Sequence, residues 1–177
     1  VVVVIRPHLI QAGLLLFCAN KRHRGAYQTL FQTRDVYKTY EAIAPFKTSL
    51  EFPLIRESHI RKSAQYFTME EVAEAPNSRT RISLLAHNGK WGHYLLEPLT
   101  GKKHQLRVHM NGLGIPICND EFYPALLPAR EEDHFDRPLQ LLARSIGFTD
   151  PVTGQARFFE SRRTLEMLSD MTETLSR

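Results

Sequence analysis

The chain has 177 residues, 42% of them hydrophobic and 24% charged, with a formal net charge of +4. That length suits one domain with its own core, and the composition is that of an ordinary globular protein, which excludes a chain disordered throughout. Two cysteines, Cys18 and Cys118, exclude a disulfide scaffold, and no apolar run approaches the roughly 20 residues of a membrane-spanning helix.

The opening run Val1 to Ile5 is β-branched throughout and predicts a buried strand; Gly13 to Ala19 predicts a second. Tyr27, Leu30 and Phe31 fall at i, i+3 and i+4 within Arg24 to Arg34, the spacing of a helix packed on a sheet. From Val36 to Ala44 the period returns to two, which puts Val36, Lys38, Tyr40 and Ala42 on one face of a strand. Pro45 to Asn77 is irregular, with a strand pair expected inside Phe52 to Ile60. Arg79 to Ala86 and Trp91 to Leu99 flank Asn88-Gly89, a dipeptide that tolerates positive φ at both positions and so predicts a tight hairpin.

Next, a Thr100-Gly101 turn leads into a predicted helix bearing Lys102, Lys103, His104, Gln105, Arg107 and His109 beside an apolar stripe of Leu106, Met110 and Leu113. Gly114 and Pro116 stop it. Beyond a loop from Phe122 to Arg137, Leu139 to Phe148 and Gln155 to Glu160 predict a last hairpin, and Arg163 to Leu175 carries leucines at helical spacing. The fold class expected is α+β, a mixed and mostly antiparallel sheet with packed helices.

Charge is unevenly spread. Lys21, Arg22, Arg24, Arg34 and Lys38 face only Asp35 in the early chain, and Lys102, Lys103 and Arg107 make a second cluster. Acid gathers in Glu131-Glu132-Asp133 and the tail, which leaves room for a basic surface facing a polyanion. Both cysteines sit among apolar neighbours and read as free buried thiols, so a reducing cytoplasm is the expected setting. His104 and His109 lie five apart, about 140° around a helix by its geometry, so the two do not share the face that a metal site would need.

The stretch Thr100-Gly101-Lys102-Lys103-His104-Gln105-Leu106-Arg107-Val108-His109-Met110, followed by Leu113-Gly114-Ile115-Pro116-Ile117 and Asp120, resembles the signature of the RluA family of pseudouridine synthases. That signature reads Gly-Arg-Thr-His-Gln-Leu-Arg-Val-His and then Leu-Gly-x-Pro-Ile-x-x-Asp. Ala12 to Phe17 resembles the tail of the family's active-site motif, and Lys38-Thr39-Tyr40-Glu41-Ala42 its Lys-x-Tyr-x-Ala strand. Pro138 to Ala143, with Phe148 to Gly154, resembles its closing hairpin.

The resemblance implies a fold of the pseudouridine synthase catalytic-domain type over residues 1–177, with the N-terminus expected to be truncated. It implies isomerisation of a uridine in structured RNA, ribosomal or transfer RNA, by a cytoplasmic monomer that needs no cofactor, metal or membrane. Tyr40 then matches the tyrosine that stacks on the target base, Arg107 the arginine that pairs with the essential aspartate, and Leu106 an apolar pocket residue. Lys38, Lys102, Lys103, His104 and Gln105 are the expected RNA contacts.

In the family the active-site motif reads His-Arg-Leu-Asp-Arg-x-Thr-Ala-Gly-Leu. Counting back without a gap from Ala12-Gly13-Leu14 puts His8 in the aspartate's place, with Arg6 in agreement. An imidazole cannot supply the anion, so Arg107 is expected to lack its carboxylate. Two alternatives stand beside the isomerase: a non-catalytic RNA-binding module that keeps the fold, and a metal-dependent nuclease using His104 and His109.

Overall fold

A computed structural model describes residues 12–65, 67–126 and 137–167, together with the backbone of residues 2–6. Among these residues the strands are β1 (Val2–Arg6), β2 (Ala12–Phe17), β3 (Val36–Pro45), β4 (Leu54–Lys62), β5 (Met69–Val72), β6 (Ser78–His87), β7 (Trp91–Pro98), β8 (Leu141–Thr149) and β9 (Ala156–Glu160). Two α-helices, α1 (Arg24–Thr33) and α2 (Gln105–Gly112), and a short 3-10 turn over Lys21–His23 complete the set. The strands form one sheet in the order β1-β2-β8-β3-β7-β6-β4-β5, with β9 beside β8. Every pairing is antiparallel except β2 with β8, so the expected mixed, mostly antiparallel α+β sheet is what forms.

The β6–β7 hairpin turns at Asn88-Gly89 as predicted, with Gly89 at φ 88° and the Asn88 carboxamide oxygen accepting from the Lys90 and Trp91 N–H groups. Between Phe52 and Ile60 there is no strand pair; one strand, β4, runs through most of that stretch and pairs with β6 on one side and β5 on the other. The predicted tail helix falls largely outside the described residues, although Leu165 is buried beside Ile43, Cys118 and Leu142.

On β3 the alternation decides everything that follows. Val36 packs with Tyr27 of α1, and Ala42 with Leu106 and Met110 of α2. Both helices therefore lie on the face of β3 that carries Lys38 and Tyr40. The stripe Leu106, Met110 and Leu113 enters the core as expected, but Phe31 does not: it is 43% exposed, and the Lys38 ammonium stands 5.7 Å from its ring centroid.

α2 is fastened by polar groups as well as by its apolar stripe. His109 is fully buried; its Nδ1 lies 2.8 Å from the Thr80 hydroxyl, and its Nε2 lies 2.9 Å from Ser78 Oγ and 3.1 Å from Ser58 Oγ. A buried polar side chain with each nitrogen engaged carries little desolvation penalty and fixes the helix to β4 and β6.

Candidate active site

α2 starts later than predicted, so Lys102 and Lys103 belong to the turn before it. His104 closes that turn in the left-handed region at φ 56°. Gln105 holds the turn to β6. Its Oε1 accepts from Thr100 Oγ1 at 2.7 Å and from the Lys102 N–H at 3.0 Å, while its Nε2 donates to the Arg79 carbonyl at 3.0 Å and to Thr80 Oγ1 at 2.9 Å. Gln105 is among the residues lining the cleft beside this turn, and both ends of its amide are engaged inside the protein, where they brace the turn.

Between this turn, α2 and β3 lies a cleft of about 360 Å³. Lys38, Tyr40, Lys102, His104, Leu106 and Arg107 all line it, along with Phe122 and Leu139. Residues some 60 positions apart in sequence thus meet in one place. Lys103 stands outside this lining, its ammonium 5.3 Å from the Phe67 ring centroid. His8 lies outside the described residues. The described chain resumes at Ala12 and Gly13, which pair with Leu142 and Ala143, and Ala143 pairs on its other side with Tyr40.

Burial sets the protonation of this cleft. It lowers the Lys38 ammonium pKa and raises that of the Tyr40 phenol, and it brings His104 down to about 4, helped by the charges of Arg107 and Lys103. His104 is therefore neutral near pH 7. The Tyr123 hydroxyl accepts from the Met69 N–H at 2.8 Å and lies 3.1 Å from His104 Nδ1. With its hydrogen free to turn toward the ring, Tyr123 favours the tautomer that keeps the His104 proton on Nε2.

Arg107 departs from expectation, because it already has a carboxylate. Its Nε donates to Asp120 Oδ2 at 2.8 Å and its Nη2 to Asp120 Oδ1 at 2.5 Å, in a side-on pair. Oδ1 also accepts from the Phe122 and Tyr123 N–H groups. The guanidinium packs 4.5 Å from the centroid of the Phe122 ring. The Asp120 side chain is 0% exposed, so it has no free approach to a substrate and serves to hold Arg107. Among the described residues Nη1 of Arg107 makes no hydrogen bond and is the donor left over. In the sequence Asp120 closes the Leu-Gly-x-Pro-Ile run, with Phe122 and Tyr123 after it, but spacing alone does not mark Arg107 as its partner.

The tertiary structure excludes one alternative. The ring nitrogens of His109 are engaged by Ser and Thr hydroxyls beneath α2, whereas His104 lines the cleft and His109 does not, so among the described residues these two histidines do not form a joint metal site.

A family profile described as RNA pseudouridylate synthase matches residues 12–112, more than half of the chain, and the chain belongs to that family. It is 33% identical over 154 residues to the dual-specificity RNA pseudouridine synthase RluA of Vibrio cholerae, and 29% identical over 167 residues to that of Vibrio parahaemolyticus. In each case the match covers 84% of this chain and 60% of the relative, so the chain spans about 60% of the length of these curated relatives. Among solved structures, human RNA pseudouridylate synthase domain containing 1 superposes with a TM-score of 0.67 at 25% identity, covering 96% of this chain and 79% of that one.

Proposed function

We propose that this chain serves the isomerisation of a uridine to pseudouridine in structured RNA, with the target base received in the cleft between β3 and α2. The observation that carries the reading is the convergence of Tyr40 and Arg107, one from a strand and one from a helix, on the walls of a single cleft. The reaction breaks the bond from ribose C1′ to uracil N1, turns the base and joins C1′ to C5; C5 loses a proton and N1 gains one. No electrons are exchanged, so positioning and electrostatics suffice.

Each wall suits a step. Tyr40 offers a flat ring, kept protonated by burial, against which a flipped uracil stacks. Leu106 and Leu139 give the base an apolar bed. Lys38 and Lys102 neutralise the backbone phosphates, contacts that give position rather than sequence choice. Arg107, held rigid by Asp120, presents Nη1 as a fixed donor to an anion arriving in the cleft.

By a count without gaps, His8 takes the sequence position at which the family has its carboxylate. That observation favours a second reading, an RNA-binding module that retains the fold and not the reaction. Release of tritium from RNA labelled at uracil C5, measured beside RNA binding, separates the two. Release that is lost in Tyr40→Ala supports the isomerase; binding without release supports the module; neither binding nor release overturns both.

A further inference from the structure

We propose that a second cavity, adjoining the cleft, binds the nucleotide that flanks the target uridine, an inference that rests on the RNA reading above. The cavity has a physical origin in the sheet. β3 pairs with β8 from Val36 onward, but its pairing with β7 begins only at Tyr40↔Leu96. Beyond Leu96, β7 stays with β6, through Thr80↔Pro98 and a 2.9 Å bond from the Leu99 N–H to the Arg79 carbonyl. The two strands part, and a slot of about 520 Å³ opens between Val36–Lys38 and Pro98–Gly101. That volume falls within the roughly 300–1,000 Å³ usual for ligand pockets.

Slot and cleft share Lys38, Pro98, Thr100 and Gly101, so they are two chambers of one groove with Lys38 at the junction. A side chain at position 101 would begin 3.8 Å from the Lys38 ammonium, which places Gly101 at that junction. Lys38 has no carboxylate partner among the described residues. A cation that is part-buried and unmatched between two chambers suits the phosphate that joins one nucleotide to the next. Phe31 and Tyr37, the latter 55% exposed, offer aromatic faces on the slot wall, and Arg34, also without a described carboxylate partner, adds charge. The lining's two carboxylates are each engaged: Asp35 accepts from Thr33 Oγ1, and Glu97 accepts from the Tyr37 hydroxyl and pairs with Arg81. Exposed aromatics beside cations that have no carboxylate partner among the described residues are what a base and its phosphate require.

The test uses an RNA hairpin whose loop carries 4-thiouridine, photocrosslinked to the chain and read by mass spectrometry, with affinity measured in parallel. The paired variant is Tyr37→Ala with Arg34→Gly; glycine suits the left-handed φ of 65° at position 34, and neither side chain is buried. Adducts are expected on Phe31 or Tyr37 as well as in the Tyr40 cleft, and the variant should bind about tenfold more weakly. Adducts confined to the cleft, with the variant binding like the parent, overturn the slot and leave the cleft reading standing. Adducts in the slot without any in the cleft overturn the flanking-nucleotide assignment and the cleft reading together. Absence of binding by the parent overturns both as well.

Discussion

Arg107 and Asp120 meet side-on in a nearly closed pocket, with side-chain exposures of 7% and 0%. Two charges at such depth are tolerable only as a pair with their remaining hydrogen bonds met, and Asp120 meets them through the Phe122 and Tyr123 N–H groups. Asp120→Asn keeps an oxygen for those N–H groups but leaves the guanidinium uncompensated. It should cost about 3–5 kcal/mol of stability, the usual penalty for breaking a buried pair from one side. Urea denaturation measures this, and a loss under about 1 kcal/mol would show that the pair is solvated and its partners interchangeable.

His109 should make the fold sensitive to mild acid. Burial brings its pKa down to about 4, against 6.5 in the unfolded chain. Between those values the unfolded state binds the proton and the native state does not, so stability is complete above about pH 6.5 and declines as pH falls toward 4. The full loss from this one group is about 3 kcal/mol. Glu41 acts lower down. Burial alone would raise its pKa, but hydrogen bonds from His93 and Arg144 reverse this to about 2, so its contribution is present above about pH 4.5 and lost as pH falls through 2. His109→Gln should therefore flatten the upper part of the profile and spare the lower; an unchanged slope between pH 6.5 and 4 would refute the assignment.

How much of this was legible in the sequence depended on whether a signal was local. The Asn88-Gly89 turn and the Leu106, Met110, Leu113 stripe are local patterns, and both formed as read. β4 reads in the sequence as a pair and not one strand because its inward residues include Ser58, which faces His109 under α2, so no continuous apolar period marks it; β5, Met-Glu-Glu-Val, is too short and polar to show one. Phe31 matched the spacing for burial, yet it sits on the last turns of α1 where the groove opens, and spacing carries no information about where a neighbouring strand departs. The convergence of Lys38, Tyr40, Leu106 and Arg107 came from family motifs; neither periodicity nor charge would have joined β3 to α2. The Arg107–Asp120 pair needed the tertiary structure.

Binding of structured RNA should weaken with salt. Lys102 lines the cleft and Lys103 lies in the same turn, its ammonium over Phe67. If each neutralises a phosphate, replacing both by alanine should make the slope of log affinity against log salt shallower by about one to two. Titrations at several salt concentrations measure it. An unchanged slope with weaker binding would mean that these lysines act on the protein and not on phosphate.

The last expectation concerns the reaction itself. On the second reading, in which His8 takes the aspartate's place, tritium release from RNA labelled at uracil C5 should stay at background even where the RNA binds, whereas the isomerase reading expects release that Tyr40→Ala abolishes. His8→Asp should raise release above that background. Because Asp120 already balances Arg107, a carboxylate added to the site would be a further anion and not the missing half of that ion pair. Single-turnover assays of both forms decide the matter. Strong release by the parent would support the isomerase and require a carboxylate from outside the described lining, whereas binding by both forms with release by neither would leave the RNA-binding module as the function.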